Sequence, residues 1–238
     1  MLLSVIIPAF NEASRLPKTL QEAYPYLEQR FHADFEIIVV DDGSSDHTVE
    51  AVQALMESQP YLKLLALPEN KGKGAAVKAG MQAAQGDICL FMDADHSTHI
   101  CEIEKVLPLM ADGYGVVIAS RQHPDSQIPV HQSWLREHMG KTFNLFVQKI
   151  VHLSMKDTQC GFKAFEKEAC QYVFSRLHLD GFSFDVEALH LAQRGGYRIA
   201  EIPVVWTDVL NSRVQMVIDP LKMFYDLLKI RYEHRNIK

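Results

Sequence analysis

The carboxylates of Asp93 and Asp95, separated by Ala94, form a pair suited to binding a hard divalent cation. They follow the apolar run 87–92, so they stand at the end of a predicted strand, where alternate side chains share one side. Mg2+ and Mn2+ prefer oxygen ligands, and Mg2+ binds through carboxylates together with substrate phosphates. The pair therefore predicts a cation that bridges a diphosphate, with a solvated turn as the alternative. His96, next in the chain, is either a further ligand or a surface histidine.

A second acidic cluster lies between a predicted strand and a predicted helix, and its sequence is Asp41-Asp42-Gly43-Ser44-Ser45-Asp46. A carboxylate here can accept a hydrogen bond from N3–H of a uracil ring, while Gly43 lets the backbone approach closely. The same residue types form a turn and cap a helix, with Ser45 or Asp46 as the cap. We expect the segment to do both.

A glycine- and lysine-rich segment, Lys71-Gly72-Lys73-Gly74, precedes the next predicted helix. It lacks the spacing of a P-loop. Glycine-rich backbone at a helix N-terminus nevertheless favours anions, and the two lysines add positive charge. The segment therefore predicts either a contact with phosphate or a tight turn.

The elements that must position these residues alternate along the first half of the chain. Hydrophobic patterning predicts strands at 3–7, 35–40, 61–67 and 87–92, with Pro8 ending the first, and helices at 15–31, 48–57 and 71–85. This alternation predicts an α/β fold with a mainly parallel sheet, whose ligands bind at the carboxyl ends of the strands. Asn11-Glu12, Asp41-Asp42 and Asp93-Asp95 should therefore gather at one edge.

The second half is less regular. Patterning predicts strands at 115–120 and 199–206 and helices at 133–153, 183–194 and 220–232. Asp185 and Glu187 lie two residues apart on a predicted helix, so their side chains point in different directions. We expect at least one of them to form a structural ion pair.

The composition indicates one folded domain. The chain has 238 residues, of which 47% are hydrophobic and 23% charged, and no linker divides it. The formal net charge of -6 argues against a general nucleic-acid-binding protein. The four cysteines form no CxxC pair, which favours a reduced, cytoplasmic protein.

Membrane contact, if there is any, is expected at the surface. The N-terminus lacks the basic region of a signal peptide, and no apolar run reaches the roughly 18 residues needed to span a bilayer. Leu221, Phe224, Leu227 and Leu228 fall on one face of the last predicted helix, with basic residues around it at Lys222, Lys229, Arg231, Arg235 and Lys238. This pattern predicts either an interfacial amphipathic helix or a helix packed on its own domain.

These segments, in this order, resemble family 2 of the inverting glycosyltransferases, which have the GT-A fold. The resemblance rests in the first half on Ser4 to Glu12, Val40 to Asp46, Asn70 to Gly74 and Asp93-Ala94-Asp95. In the second half, Ala119-Ser120-Arg121, Arg136, Asp157-Thr158-Gln159-Cys160-Gly161-Phe162-Lys163, Phe184 to Glu187 and Ile202 to Trp206 are similar to dolichyl-phosphate β-glucosyltransferases. The chain departs from that group at His96-Ser97-Thr98, where a small Gly-Ala-Thr run is typical, and in having no predicted membrane span.

The resemblance implies a single GT-A domain over 1–238, with a nucleotide-sugar-binding half at 1–97, an acceptor half at 98–219 and a C-terminal amphipathic helix at 220–238. It implies a nucleotide-sugar pocket of Pro8, Ala9, Phe10, Glu12, Asp42, Lys73, Asp93 and Ala94. Mg2+ or Mn2+ would be held by Asp93 and Asp95. Catalysis would involve Asp157, Asp95, Arg121 and Arg136, and an acceptor phosphate would be held by Arg121, Arg136, Gln159 and Lys163.

The implied reaction is inverting transfer of a sugar, glucose from UDP-glucose, to a polyprenyl or dolichyl phosphate at the cytoplasmic face of a membrane. Such a phosphate is largely ionised at neutral pH, so Asp157 is expected to orient the acceptor or sugar hydroxyls more than to accept a proton. Transfer of mannose or N-acetylglucosamine, a polysaccharide or soluble acceptor, and a non-catalytic nucleotide-sugar-binding protein are the alternatives.

Overall fold

The described residues in the computed structural model of the protein are 1–130, 134–209 and 218–235, with the side chains of 134–137 and 218–220 excepted. The strands are β1 (Leu3–Ala9), β2 (Phe35–Asp41), β3 (Leu62–Ala66), β4 (Ile88–Met92), β5 (Val116–Ser120), β6 (Gln127–Val130), β7 (Phe162–Glu166), β8 (Ile199–Pro203) and β9 (Val205–Thr207). The helices are α1 (Leu16–Phe31), α2 (Thr48–Met56), α3 (Lys73–Ala83), α4 (Ile103–Ala111), α5 (Trp134–Ile150), α6 (Lys167–Phe174), α7 (Phe184–Arg194) and α8 (Ile218–Glu233). A single 3-10 turn, Ile100–Glu102, precedes α4.

Seven strands form the central sheet in the order β3-β2-β1-β4-β7-β5-β8, and β6 pairs with β9 separately. All neighbours in the large sheet are parallel except β7, which runs antiparallel to both β4 and β5. The predicted α/β fold with a mainly parallel sheet is confirmed.

Helices cover both faces of the sheet, which explains why its inner strands are continuous apolar runs. Side chains alternate along β1, so Val5 and Ile7 pack toward α1 while Ile6 packs toward α3. Each face has its own buried cluster, and together they fix the sheet that carries the polar residues at its carboxyl edge.

Pro8 does not end the first strand, as the sequence predicted, but lies inside β1. Pairing of β1 with β4 stops at Ile6, whereas pairing with β2 continues to Ala9. Pro8 therefore lies where the strand has a hydrogen-bonded neighbour on one side only, a position that accommodates a missing N–H.

The second half contains elements that patterning missed. Strand β7, helices α4 and α6 and the short strand β6 were not predicted, and the strand predicted at 199–206 is two strands in different sheets. The helix predicted at 133–153 ends at Ile150. Among the described residues, no helix is both long and apolar enough to cross a bilayer.

Candidate active site

The loops after β1 and β2 are joined by the side chain of Asn11. Its carboxamide oxygen accepts hydrogen bonds from the backbone N–H of Ser45 (2.8 Å) and Asp46 (3.2 Å). In return, the backbone N–H of Asn11 donates to the hydroxyl of Ser44 at 2.8 Å. Asp46 accepts from the backbone N–H of Thr48 at 3.0 Å, but the N-cap of α2 is His47, so the prediction of Ser45 or Asp46 as the cap is wrong.

The side chain of Asp42 ties the loop after β2 to the loop before α3. It is buried, and its carboxylate accepts from the backbone N–H of Lys71 (2.9 Å) and Gly72 (2.8 Å) and from the side chain of Asn70 (3.0 Å). Burial raises the pKa of Asp42 against the lowering effect of these donors. The predicted contact with a nucleotide base would therefore add to an existing structural role.

Lys73, in the first turn of α3, brings the glycine- and lysine-rich segment to the acidic pair. Its Nζ lies 2.6 Å from Oδ1 of Asp93. Burial favours the neutral amine, but the charges of Asp93 and Asp185 outweigh it and raise the pKa of Lys73. The segment is therefore both a turn and a source of positive charge at the acidic pair.

Asp93 and Asp95 lie at the carboxyl end of β4, as predicted. The backbone N–H of Asp93 donates to the carbonyl of Gly161 at 3.0 Å, and a Cβ on Gly161 would overlap the Asp93 carboxylate. Asp95 accepts from the backbone N–H of Ser97 at 3.0 Å. Burial, and then the charge of Asp93, raises the pKa of Asp95. Two oxygen donors whose charges repel each other are a suitable pair for a divalent cation.

The N-cap residue of α1 is an arginine, Arg15, that patterning did not single out. The guanidinium of Arg15 pairs with Glu12 and feels the charges of Asp95 and Asp93, so its pKa is raised although burial opposes this. Thr19, one turn later, donates to the carbonyl of Ala94 at 2.7 Å. The sequence signal for Arg15 was its position three residues after Glu12 at the start of a helix, where such side chains pair.

An ion pair between Arg121 and Asp157 organises the part of the site where the sequence predicts the acceptor. Nε and Nη2 of Arg121 donate to the two carboxylate oxygens at 2.7 and 2.8 Å, and the backbone N–H of Arg121 donates at 3.0 Å. The guanidinium also lies over the ring of Trp206, 5.3 Å from its centroid. Arg121 is therefore held from two sides at the end of β5.

The carboxylate of Asp157 is held in its ionised form. Burial alone would raise its pKa, but the charge and hydrogen bonds of Arg121 lower it below the usual value. A carboxylate with a lowered pKa is a weak proton acceptor at neutral pH. This supports an orienting role for Asp157.

The antiparallel direction of β7 explains why the 157–161 loop lies beside the acidic pair. Because β7 runs against β4 and β5, the residues just before it lie at the carboxyl ends of those strands. Gly161 thus reaches Asp93, and Asp157 reaches Arg121. The backbone N–H of Gln159, which was expected at the acceptor phosphate, donates to Asp157 at 3.2 Å.

Lys163 lies under the site and not at its surface. Its side chain is fully buried, and Nζ donates to Oδ1 of Asp185 at 2.5 Å and to the carbonyl of Cys160 at 2.6 Å. Direct contact of this ammonium with an acceptor phosphate, as the sequence suggested, would require it to leave these partners. The arrangement instead makes Lys163 a support for the 157–161 loop.

Both acidic residues of α7 have structural partners. Asp185 pairs with Lys163, and Glu187 accepts from the backbone N–H of Leu179 (2.8 Å) and contacts Nε2 of His234 (2.7 Å). The predicted ion pair is therefore present. His96, the alternative metal ligand, lies 2.8 Å from the carboxylate of Glu22.

The remaining predicted positions lie along the same edge, with one exception. Pro8 and Ala9 are buried at the end of β1, Ala94 is buried between the two aspartates, and Phe10 and Glu12 follow in the first loop. The exception is the side chain of Arg136, which lies outside the described residues.

Replacing Gly161 with alanine should damage the acidic pair selectively. The new Cβ would displace the Asp93 carboxylate, so we expect activity to fall about 100-fold, as it does when a group is misplaced. Stability should fall by about 1–3 kcal/mol, the usual cost of overpacking. Gly140→Ala, in α5, is the matched control because a Cβ there has open space. Equal activity of the two variants would exclude the proposed placement of Asp93.

Replacing Lys163 with methionine should destabilise the fold. Removing one partner of a buried ion pair leaves the other charge uncompensated, at a cost of about 3–5 kcal/mol. Urea unfolding measures the loss. Adding Asp185→Asn to the same chain should recover part of it, whereas additive losses would mean that the pair contributes nothing as a pair.

The comparisons with known proteins identify the family. The model of glycosyl transferase family 2 matches residues 4–174. The chain belongs to this family. It is therefore a glycosyltransferase, and the acidic pair, the Asp42 turn and the Asp157–Gly161 loop all lie inside the matched region.

Two curated relatives illustrate the likeness within the family. The chain is 39% identical to a dolichyl-phosphate β-glucosyltransferase of Dictyostelium discoideum, over 98% of this chain and 74% of the relative. It is 36% identical to the dolichyl-phosphate β-glucosyltransferase of Homo sapiens, over 98% of this chain and 75% of that relative.

A solved structure shows the same GT-A fold for this glycosyltransferase. It is glucosyl-3-phosphoglycerate synthase from Mycobacterium tuberculosis in complex with Mn2+, UDP and phosphoglyceric acid. The TM-score is 0.70 at 20% identity, and the match covers 100% of this chain and 79% of that chain. The expectation of a GT-A fold is confirmed.

Proposed function

We propose that the protein transfers glucose from UDP-glucose to the phosphate of dolichol or a related polyprenol, with inversion at the anomeric carbon. The observation that carries the proposal is the Arg121–Asp157 pair, which places a fixed guanidinium at the same sheet edge as the acidic pair. A guanidinium held in this way suits an anionic acceptor. The names of the relatives, which match 94–98% of this chain at 35–39% identity, support the same donor sugar and acceptor.

The donor half of the site is formed by the loops after β1, β2 and β4. Asp42 and the 8–12 segment would line the nucleotide pocket, and Asp93 and Asp95 would hold Mg2+ or Mn2+ on the diphosphate. When bound, such a cation stabilises negative charge on the departing nucleoside diphosphate. Lys73 and Arg15 place two further positive charges beside the same carboxylates.

In the acceptor half, a phosphate oxygen of the lipid attacks the anomeric carbon. The C–O bond to the diphosphate breaks on the opposite face, and UDP leaves with the electron pair. The second pKa of a phosphate monoester is about 6, so the nucleophile is largely dianionic at neutral pH and needs no base. Arg121 would hold it, with Gln159 and Arg136 as further contacts. Asp157 would fix the orientation of Arg121.

The reaction is proposed at the cytoplasmic face of a membrane. All four cysteines are free thiols, which fits a reducing compartment. The acceptor is a membrane lipid, so the protein must approach the bilayer. The exposed apolar residues of α8, which include Leu221 and Leu228, are the proposed contact.

A panel of nucleotide sugars tests the proposal. Purified protein is incubated with UDP-glucose, GDP-mannose or UDP-N-acetylglucosamine, with Mn2+ or Mg2+, and with polyprenyl phosphate present or absent. We expect glucolipid formation and UDP release from UDP-glucose only when the lipid is present. Equal turnover without lipid, or transfer from another sugar nucleotide alone, would contradict the proposal.

Replacing Asp157 with asparagine separates orientation from proton transfer. If Asp157 orients Arg121, kcat/KM for the lipid phosphate should fall about 100-fold, the typical cost of a misplaced group. The pH at which activity rises should stay near the second pKa of the acceptor, about 6, because the lowered pKa of Asp157 lies far below it. Circular dichroism verifies the fold. Loss of several orders of magnitude with the fold intact would identify Asp157 as the base.

A further inference from the structure

A cavity of about 490 Å³ lies where the C-terminal ends of α5, α7 and α8 meet. The cavity and the acidic pair lie at opposite ends of α7. The first turn of this helix carries Asp185 beside Lys73, and its last turn carries Arg194 at the cavity. The proposed reaction uses none of its residues.

The cavity has the lining of an anion site. Five basic side chains contribute to it, and no carboxylate does so among the described residues; the basic set is His152, His190, Arg194, Arg231 and Arg235. Diffuse surface charge would mix both signs, whereas the fixed charges of this lining are those of the three arginines. Burial lowers the pKa of His190 to about 4, so its ring is neutral. The cavity therefore favours a negatively charged group.

The arginines are held in place by contacts that use few of their donors. Arg231 donates to the carbonyl of Ile150 at 2.6 Å, and Arg194 donates to the carbonyl of Arg235 at 2.9 Å. The guanidinium of Arg235 lies 4.1 Å from the ring centroid of Tyr232. Arg231 also contacts Nε2 of His152 at 3.2 Å. Each guanidinium has five N–H donors, so the contacts with described residues leave most of these donors unused.

A buried polar atom also points to a ligand. His190 is 8% exposed and lines the cavity, and its Nδ1 has no hydrogen-bond partner in the part of the chain that the structure describes. Buried polar atoms without partners are uncommon in folded proteins. In the tautomer that carries its hydrogen on Nδ1, the neutral ring can donate that hydrogen to an anionic oxygen.

An exposed apolar surface adjoins the cavity. Leu221, Phe224 and Leu228 of α8 are 72, 40 and 48% exposed. The ring of Phe224 packs against Phe146 of α5, which is also exposed, with centroids 5.3 Å apart. Leu227, predicted on the same face, is instead fully buried. Helix α8 thus packs on its own domain through one face and presents a second apolar face to solvent. The interfacial interpretation stays a prediction for that second face.

We propose that the cavity binds the phosphate of an anionic phospholipid headgroup while the exposed face of α5 and α8 lies in the bilayer interface. Leu228 and Tyr232 belong to both the cavity and the exposed face, so one amphiphilic molecule can reach both. Interfacial helices combine apolar burial with attraction to anionic lipids, and arginine pairs well with phosphate. The inference rests on the proposed membrane contact.

Vesicle flotation tests the site with a matched pair of variants. The vesicles are phosphatidylcholine alone or with phosphatidylglycerol, and the variants are Arg194→Gln/Arg231→Gln and Lys222→Gln/Lys229→Gln. Both remove two positive charges, but the lysines lie outside the cavity lining. We expect binding to anionic vesicles to weaken at least about twentyfold in the arginine variant and less than about threefold in the lysine control. Directed hydrogen bonds from arginine to phosphate contribute more to binding than the screened charge of an exposed lysine does.

Further measurements distinguish failure of the headgroup site from failure of membrane contact. Equal losses in the two variants would overturn the headgroup site and leave membrane contact standing, whereas no flotation of the wild type would overturn both. Millimolar inorganic phosphate that stabilises the protein without competing with vesicles would assign the cavity to a free anion and also overturn the lipid proposal. Arg235→Gln alone, expected to weaken binding about fivefold, serves if the double variant does not fold. Transfer to a detergent-solubilised acceptor should be unchanged in every variant.

Discussion

Arg121→Gln is expected to lower kcat/KM for a polyprenyl phosphate about a thousandfold, the upper range for removing one preorganised donor to a reacting anion. The guanidinium is already fixed by Asp157 and by the ring of Trp206, so the loss should be in catalysis and acceptor binding. The affinity for UDP should change little, because the donor half of the site does not depend on this side chain. Steady-state kinetics with each substrate varied in turn measures both effects.

The variant needs a control for stability, because it leaves Asp157 buried without its partner. The double variant Arg121→Gln/Asp157→Asn replaces the ion pair with two neutral amides of similar shape, so it should recover stability without recovering activity. Arg198→Gln is the matched control for loss of an arginine, because the guanidinium of Arg198 also lies over an aromatic ring, that of Tyr114. Activity restored together with stability in the double variant would mean that Arg121 serves the fold alone.

Asp95→Asn is expected to reduce transfer about a thousandfold, since Lewis-acid stabilisation of a diphosphate contributes several kcal/mol. The metal-free variant should be as stable as the wild type or more stable, because burial and the charge of Asp93 both disfavour the ionised form of Asp95 and raise its pKa. The rise in melting temperature that Mn2+ and UDP give the wild type should disappear. Activity and stability therefore move in opposite directions.

Asp125→Asn, at an exposed aspartate, is the matched control for loss of one carboxylate. Calorimetry with Mn2+ and UDP, combined with thermal unfolding, gives both readouts on the same samples. If Asp95→Asn keeps the effect of Mn2+ on UDP binding, the cation is held elsewhere.

The donor half of the site was predictable because its elements are local. Each of its clusters follows a strand that hydrophobic patterning identifies, and parallel strands bring such clusters to one edge. The juxtaposition of Asn11 with the 44–46 turn, and of Lys73 with Asp93, follows from that rule.

The acceptor half depends on contacts that patterning cannot reveal. Strand β7 has a lysine at its second position, and Lys163 is buried there because Asp185, far along the chain, neutralises it. The antiparallel insertion of β7 then decides where Asp157 and Gly161 lie. Only the resemblance to a known family pointed to these residues. It did not reveal that Lys163 is buried, nor that Asp157 holds Arg121 in place.

The most direct test of the account compares two acceptors that differ only in their phosphate. Transfer of labelled glucose from UDP-glucose is measured with a polyprenyl phosphate and with the corresponding free polyprenol, at neutral pH with Mn2+. The arrangement of Arg121 and Asp157 predicts transfer to the phosphate and none to the alcohol, because the fixed guanidinium suits an anion and Asp157, whose pKa is lowered, is a weak base. Comparable transfer to the alcohol would contradict it.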